Sequence, residues 1–219
     1  MPSLEVERTF WQQGHRYVAG CDEVGRGAWA GPVVAGAVVL PPDDPAICGL
    51  LRAAGLRDSK RLRPEERDAL LPLIQEVALT WALGQASAAE VDQLGVAAAT
   101  RLAVRRALAE LPVKPHALVL DAFPLPEVPL PQRALVRADD ISLSVAAASV
   151  LAKVHRDRLM VALDARFPGY GFARHKGYGT SQHRAALEAL GPSPLHRHTW
   201  APVARLTRSR DDREVGAGP

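Results

Sequence analysis

The sequence has few cysteines, no long apolar run and no large excess of charge of one sign. Its two cysteines, Cys21 and Cys48, do not make a disulfide framework, which favours a reducing environment. No apolar stretch approaches the roughly 20 residues that cross a membrane. Residues 1–8 carry both charge signs and lack the apolar core of a signal peptide. We therefore expect a soluble cytoplasmic protein with no membrane partner.

The net charge is only +3, which favours an anionic partner weakly. Basic residues cluster at 52–63 and again at 174–198, and solvated surface is the simplest interpretation of such clusters. His196 and His198 have a spacing that could suit a metal, but no cluster of soft ligands accompanies them. A surface or phosphate-contacting role is therefore favoured for this pair.

A chain of 219 residues, 47% of them hydrophobic, can bury one sizeable core. We expect one domain over residues 1–206, with a helical C-terminal part from about residue 168. Residues 207–219 are rich in Arg, Asp and Gly, and we expect them to form a disordered tail.

Short apolar runs alternate with segments of helical periodicity. Strands are predicted at 17–21, 33–40, 78–86, 117–120 and 133–138, and helices at 64–77, 88–111, 144–167 and 180–190. A glycine-rich turn at 25–32 predicts a hairpin of the first two strands, whereas the Pro, Asp and Gly residues of 41–63 indicate a loop. This order predicts an α/β fold with a mixed sheet.

Four acidic side chains follow predicted strands. Asp22 and Glu23 follow 17–21, Asp121 follows 117–120, and Asp139 follows 133–138. Sites in open α/β sheets gather at strand ends near a switch in strand order. Because unpaired buried acids are costly, a catalytic role explains carboxylates at these positions better than packing does.

Carboxylates that are brought together repel one another, and a divalent cation removes that repulsion. Oxygen ligands suit Mg²⁺ or Mn²⁺, and two such ions can stabilise the attacking and leaving oxygens of a phosphodiester hydrolysis. Adjacent strand residues point to opposite faces, so Asp22 and Glu23 converge only if the strand ends or distorts there. Each acid alone could equally be a helix cap, a turn former or a member of an ion pair.

Several segments, in order along the chain, resemble the motifs of ribonuclease HII, the type 2 ribonuclease H. The matching segments are CDEVGRGAWAGPVVA at 21–35, DSK at 58–60, Asp121, RAD at 137–139, AAASVLAKVHRD at 146–157, HKGYGT at 175–180 and HRHTWAPV at 196–203. Ordered motifs are far more specific together than any one alone. The last segment has Thr199 and Trp200 where the family usually has Ser and Phe.

The resemblance implies a ribonuclease H-like fold over residues 1–206, with a mixed central sheet flanked by helices and a C-terminal helical extension. It implies cleavage of RNA in RNA–DNA hybrids, and incision 5′ to single ribonucleotides in DNA that leaves a 3′-hydroxyl and a 5′-phosphate. By position it assigns the catalytic, metal-binding carboxylates, which are Asp22, Glu23, Asp121 and Asp139. The cofactor would be Mn²⁺ or Mg²⁺, and a monomer is favoured.

The resemblance also assigns substrate contacts. Gly25, Arg26 and Gly27 match a loop that senses the ribose 2′-hydroxyl, and Tyr178 matches a tyrosine that stacks on the adjoining deoxyribose. Glycines do let backbone approach a sugar closely, and the 2′-hydroxyl distinguishes RNA from DNA. Lys60 and Lys176 are then candidate phosphate contacts.

Some alternatives remain open on the sequence alone. Asp140 competes with Asp139, although the spacing to 146–149 favours Asp139. A dinucleotide site is disfavoured because the next glycine after Gly27 is Gly31, so G-x-G-x-x-G is not satisfied. A resolvase-like nuclease, a catalytically silent hybrid-binding protein and a small-molecule phosphatase are the rival functions.

Overall fold

The computed structural model describes residues 1–206. Its strands are β1 (Val18–Val24), β2 (Val33–Val39), β3 (Thr80–Ala86), β4 (Ala117–Asp121) and β5 (Gln132–Leu135). Its helices are α1 (Glu5–Trp11), α2 (Pro45–Ala53), α3 (Pro64–Val77), α4 (Ala88–Leu94), α5 (Val96–Glu110), α6 (Leu143–Arg166), α7 (Phe172–His175) and α8 (Ser181–Leu190). Short 3₁₀ turns form at Ser59–Arg61 and Ala138–Asp140, and residues 201–206 are also helical.

The five strands form one sheet in the order β3-β2-β1-β4-β5. β1 pairs antiparallel with β2 and parallel with β4, and β4 pairs parallel with β5. The predicted hairpin and mixed sheet are therefore confirmed. Every residue of β2 is buried, as its continuous apolar run requires.

Helix α6 lies directly on the sheet because two glycines of the strands give it room. A Cβ atom at Gly20 would come within 2.3 Å of the Ser144 backbone, and one at Gly36 within 2.5 Å of the Ala148 carbonyl oxygen. The helix meets them with small residues, since Ala146 to Ala148 are all fully buried. This close packing sets the N-terminal half of α6 against the end of β1 that carries the first candidate acids.

The prediction of a loop over 41–63 is wrong, because helix α2 forms within it. Asp44 caps this helix by accepting hydrogen bonds from the backbone N–H groups of Ala46 (2.9 Å) and Ile47 (3.2 Å). Pro45 occupies the first helical turn, where proline is tolerated. The acidic and proline residues that indicated a loop therefore serve as the start signal of a helix.

Other boundaries also differ from the prediction. The predicted helix over 88–111 is two helices, because Gly95 has φ of +78° and ends α4. The strand predicted over 133–138 ends at Leu135, and the chain reverses through Arg137, which is left-handed with φ of +58°.

Helix α1 was not predicted at all. Its Glu7 is buried and accepts hydrogen bonds from the hydroxyls of Ser142 (2.6 Å) and Ser144 (2.5 Å).

The described chain forms two compact units, each with an apolar cluster. The first unit comprises Met1–Val24, Val34–Gln85 and Thr100–His155, and the second comprises Gly25–Val33, Ala86–Ala99 and the described residues from Arg156 onward. Leu51, Ile74 and Leu151 belong to the core of the first unit, and Met160 and Phe172 to that of the second.

The described helices include none that is long and apolar enough to span a membrane. The predicted disordered tail, 207–219, lies outside the described residues.

Candidate active site

Two candidate acids lie where neighbouring parallel strands stop pairing. The pairing of β1 with β4 ends at Cys21 and Leu120, so Asp22 and Asp121 are the next residues along the two strands. Asp121 is half-buried, and its Oδ1 accepts a hydrogen bond of 2.8 Å from the backbone N–H of Ala138. This bond ties the end of β4 to the 3₁₀ turn that contains Asp139.

Asp22 is almost completely buried among other acids. Burial raises its pKa well above the ordinary value, and the charges of Glu23, Asp121 and Asp139 raise it further. A hydrogen bond with the Ser149 side chain acts in the opposite direction. Asp22 Oδ1 also accepts a hydrogen bond of 2.8 Å from the backbone N–H of Glu23. Burial is the main cause of the raised pKa, and three carboxylates lie near enough to Asp22 to add to it.

Glu23 lies in a part of β1 that remains paired. Glu23 stands opposite Ala35 and Val24 opposite Val34, so the strand does not end between the two adjacent acids. Glu23 is half-buried, yet its charge is the strongest electrostatic influence on Asp22 after burial. The two carboxylates are therefore close enough to interact although the strand continues through both.

Asp139 is buried within the Ala138–Asp140 turn and does not end a strand, which corrects the prediction. Burial, then the charges of Asp58 and Asp121, raise its pKa to about 6, while Lys60 lowers it. The left-handed Arg137 reverses the chain just before the turn. This reversal allows Asp139 to interact with acids from other segments.

Asp140 has a different environment from Asp139. Its carboxylate forms ion pairs with Arg61, at 3.3 Å, and with Arg137. It retains partial solvent exposure, whereas Asp139 is 4% exposed. Asp139 therefore belongs to the buried acidic group, and Asp140 belongs to a surface ion-pair network.

Lys60 brings a positive charge to this neighbourhood. Burial lowers its pKa, but Asp22, Asp139 and Asp58 outweigh that effect and raise the pKa overall. Lys60 lies in the Ser59–Arg61 turn, where its backbone N–H donates to Asp58 Oδ1 at 2.8 Å. The residue is exposed, so its ammonium group is available to a ligand.

Sequence reasoning did not assign two residues that contribute to this site, Asp58 and Ser149. Asp58 affects the pKa of Asp139 more than any other single charge does. Ser149, on α6, hydrogen-bonds with Asp22 and lies 2.8 Å from the Ser59 hydroxyl, linking Asp22 to the turn that carries Lys60. The available signals were a serine within the otherwise apolar run 145–152 and an acid directly before Ser59 and Lys60.

The donor chemistry of the acidic group suits a hard divalent cation, because carboxylates that raise one another's pKa are stabilised by added positive charge. Within residues 1–206, however, no three His, Cys, Asp or Glu side chains are already arranged as a metal-binding set. The case for a divalent cation at this site therefore rests on the negative charge and the chemical type of the carboxylate ligands.

The second unit holds the other candidate residues, beginning with the loop 25–32. Gly25 has φ of +92°, and a Cβ atom there would lie 2.2 Å from the Arg156 side chain. Gly27 is exposed, and a Cβ atom there would meet nothing within 4 Å. Gly25 is thus required by the fold, whereas no contact among the described residues requires glycine at position 27.

Lys176 and Tyr178 lie in a segment that is hydrogen-bonded to this loop. The backbone N–H of Trp29 donates to the Gly177 carbonyl at 2.8 Å, and Arg156 donates to the Lys176 carbonyl at 2.9 Å. The Tyr178 ring is half-buried and lies 5.4 Å below the Arg156 guanidinium. The Lys176 ammonium group donates to the Ala173 carbonyl, so it must exchange that bond to contact a phosphate.

The prediction of surface residues around 196–198 is wrong for two of the three. His196 is 1% exposed and Arg197 is fully buried, whereas His198 is exposed. His196 Nε2 lies 3.0 Å from His183 Nε2, and His183 stacks on His175 with ring centroids 4.3 Å apart. These imidazoles form a buried cluster, in which the rings of His183 and His196 bond to each other and to backbone groups.

Known proteins are similar to this chain in both sequence and fold. The family model described as Ribonuclease HII matches residues 19–203. A curated ribonuclease HII from Thermus thermophilus is 58% identical over 200 residues, which cover 91% of this chain and 93% of that protein.

Solved structures of ribonucleases have the same fold as this chain. The ribonuclease H2 of Pyrococcus horikoshii superposes with a TM-score of 0.71 and 27% identity, over 88% of this chain and 98% of that one. Bst-RNase HIII in complex with Mn²⁺ shares the fold, with a TM-score of 0.65 and 22% identity over 92% of this chain and 72% of that one. The fold is therefore ribonuclease H-like, as predicted, and the chain belongs to the ribonuclease HII family of endoribonucleases.

Proposed function

We propose that this endoribonuclease cleaves the RNA strand of RNA–DNA hybrids and incises 5′ to single ribonucleotides in duplex DNA, leaving a 3′-hydroxyl and a 5′-phosphate. The observation that carries the proposal is the buried acidic group in which Asp22, Asp121 and Asp139 come from three distant segments. Family membership supplies the substrate class, and the acidic group supplies a chemical means of hydrolysis.

Asp22, Glu23, Asp121 and Asp139 would hold Mg²⁺ or Mn²⁺. Such ions, when bound, activate a water nucleophile and neutralise charge on the leaving oxygen. The protein's own contribution is the placement of the acids. The Ala138 N–H holds Asp121, the Glu23 N–H and the Ser149 side chain orient Asp22, and the 3₁₀ turn presents Asp139.

Lys60 would bind a phosphate of the duplex close to the acids. Its raised pKa keeps the ammonium group charged at neutral pH, and its exposure allows contact with a backbone phosphate. Phosphate contacts fix the position of a duplex without reading its sequence. Lys176 would add a second such contact, and Tyr178 would offer its ring to a sugar.

The loop of Gly25, Arg26 and Gly27 would read the ribose. Arg26 and Gly27 are exposed at a tight turn, in which the Ala28 N–H donates to the Gly25 carbonyl at 3.3 Å. A glycine with open space at its Cβ position lets a sugar approach the backbone. The 2′-hydroxyl is the group that such a contact would distinguish.

The test uses an end-labelled DNA duplex with one ribonucleotide, a continuous RNA–DNA hybrid and an all-DNA duplex. We expect one cut on the 5′ side of the ribonucleotide, cuts along the hybrid RNA strand, no cut in DNA, and no activity after chelation. Product ends are identified by ligation and by phosphatase treatment. Binding without cleavage in either metal would contradict the proposal, and cleavage of all-DNA junctions would favour a resolvase-like nuclease.

The two adjacent acids of the 138–140 turn provide a matched pair of variants. Asp139→Asn should lower kcat by orders of magnitude, because it removes a buried acid of the proposed site. Asp140→Asn should change activity only a few-fold, because it removes exposed ion pairs worth about 0–1 kcal/mol. Single-turnover cleavage rates distinguish the two, and equal losses would show that the turn acts as one unit.

Gly27→Ala should separate activity from stability. The methyl group meets open space in the protein, so thermal stability should be unchanged or rise by about 0.4–1 kcal/mol. The same methyl group would obstruct a sugar, so kcat/KM should fall roughly 10- to 100-fold. Gly49→Ala is the control, since Gly49 also has open space and belongs to α2, which carries none of the proposed contacts. Full activity of Gly27→Ala would remove this loop from the substrate site.

A further inference from the structure

Two buried arginines hold the loop 25–32 by its carbonyl oxygens. Arg197 donates from Nη1 to the Arg26 carbonyl (2.7 Å) and from Nη2 to the carbonyls of Gly25 (2.6 Å) and Gly31 (3.0 Å). Arg156 donates to the carbonyls of Pro32 (2.9 Å) and Ala30 (3.2 Å). Both side chains are fully buried, so these hydrogen bonds replace those that water would make.

The bonds of Arg197 fix the direction of a peptide group. A peptide is planar and trans, so the N–H of one residue points opposite to the C=O of the residue before it. Because the Arg26 carbonyl points inward to Arg197, the N–H of Gly27 points away from the buried guanidinium. None of the described residues accepts a hydrogen bond from this N–H. The donor is therefore directed outward from an exposed turn.

This arrangement is costly for the fold. Two guanidinium groups are buried in the same unit, and each has neutral carbonyl oxygens as its main partners, which compensate a buried charge less well than a carboxylate does. Burial and the neighbouring Arg156 lower the pKa of Arg197 to about 10, so the side chain remains a cation at neutral pH. Its positive charge behind the loop favours an electron-rich atom in front of the outward N–H.

We propose that Arg197 is a positioning residue for ribose recognition: by binding the Gly25 and Arg26 carbonyls, it turns the Gly27 N–H outward to donate to the ribose 2′-oxygen. This inference rests on the proposed function. Arg156 packs against Gly25, but its hydrogen bonds to the loop go to the Ala30 and Pro32 carbonyls, so it maintains the loop without setting the direction of the Gly27 N–H.

The experiment compares two duplex substrates that differ at one sugar. One carries a single ribonucleotide, and the other a 2′-fluoro nucleotide, which keeps a ribose-like pucker but accepts hydrogen bonds poorly. The ratio of kcat/KM for these substrates is measured for the wild type, for Arg197→Lys and for the matched buried variant Arg156→Lys. Thermal unfolding of all three proteins is measured in parallel.

We expect Arg197→Lys to lower the hydroxyl-to-fluoro ratio about tenfold, the effect of losing one well-directed hydrogen bond. Arg156→Lys should slow both substrates by the same factor and leave the ratio unchanged. An unchanged ratio in Arg197→Lys, with equal losses on both substrates, would overturn the role of Arg197. Arg197→Gln, whose amide retains a donor for one carbonyl, provides a second variant should the lysine fail to fold.

The wild-type measurement separates this inference from the proposed function. A wild-type enzyme that cuts neither substrate, or cuts both at one rate, contradicts the proposed reading of the ribose itself. A wild-type preference for the hydroxyl that persists undiminished in Arg197→Lys, or in Arg197→Gln if the lysine variant does not fold, contradicts only the positioning role of Arg197.

Discussion

Asp22→Asn is expected to abolish cleavage and at the same time to raise the melting temperature of the metal-free protein. Loss of activity by about a thousandfold or more is the usual result of removing one member of an interdependent catalytic group. The gain in stability has a separate cause. Asp22 is buried with Glu23, Asp121 and Asp139 nearby, and an uncharged amide of the same shape relieves both the burial of charge and the repulsion.

The local hydrogen bonds should survive this substitution. The amide oxygen of asparagine can accept from the Glu23 N–H as Asp22 Oδ1 does, and the Ser149 hydroxyl can bond to either amide atom. The folded protein binds a proton on Asp22 more tightly than the unfolded chain does, so this group lowers stability as pH rises above its unfolded pKa. The stability gained by Asp22→Asn should therefore be larger at pH 8 than at pH 5.

Thermal unfolding with and without divalent cation, alongside cleavage assays, tests both parts. Mg²⁺ or Mn²⁺ should raise the melting temperature of the wild type more than that of the variant, because binding to the folded state stabilises it by mass action. A variant that cleaves normally would remove Asp22 from the catalytic group. A lower melting temperature in the variant at pH 8 would show that the Asp22 charge is compensated by the protein alone.

The positions of Asp22 and Asp121 could be predicted because they depend on local sequence. Each follows a short apolar run, and apolar runs of this length form buried strands whose ends lie together in a parallel pair. The mixed sheet followed from the same reasoning. The resemblance added residues whose proposed roles no periodicity predicts, including Glu23 within a continuing strand and Gly27 at an exposed turn.

The missed features depend on tertiary partners. Asp139 lies in a turn that is set by the left-handed Arg137 and by the Asp121 hydrogen bond, and neither can be read from the residues around it. His196, Arg197 and His198 are three consecutive polar residues, yet only the last is exposed. Burial of the first two is possible because backbone groups elsewhere in the second unit accept or donate their hydrogen bonds. Composition describes which residues are polar, and only the fold determines where polar partners are available.

The buried imidazoles of His183 and His196 are expected to make the fold sensitive to acid. The Ser193 N–H donates to His196 Nδ1 at 2.9 Å, so His196 carries its proton on Nε2 and donates it to His183 Nε2 at 3.0 Å. His183 then donates from Nδ1 to the Tyr178 carbonyl at 3.0 Å. With both rings neutral, each ring nitrogen of His183 and His196 has a hydrogen-bond partner. An added proton would therefore break one of these hydrogen bonds.

The direction of the effect follows from the pKa values. Burial lowers the pKa of His183 to about 4, and burial together with His183 lowers that of His196 to about 3. The unfolded chain takes up these protons near pH 6.5, so between pH 6.5 and pH 4 it binds more protons than the folded protein. The stabilising contribution of the neutral histidines is therefore complete above pH 6.5 and is lost as pH falls. For His183 alone, the free energy of unfolding decreases by at most about 3 kcal/mol at pH 4.

Urea unfolding from pH 7.5 to pH 4 measures this loss, and His196→Asn isolates the contribution of the pair. The asparagine amide can still accept from the Ser193 N–H but does not titrate, so stability should decline less steeply below pH 6.5 than in the wild type. His198→Asn is the control, because His198 is exposed and its loss should leave the slope unchanged. Parallel pH profiles for the wild type and His196→Asn would mean that the histidines are protonated in the folded protein. The assignment of neutral, hydrogen-bonded rings to His183 and His196 would then be wrong.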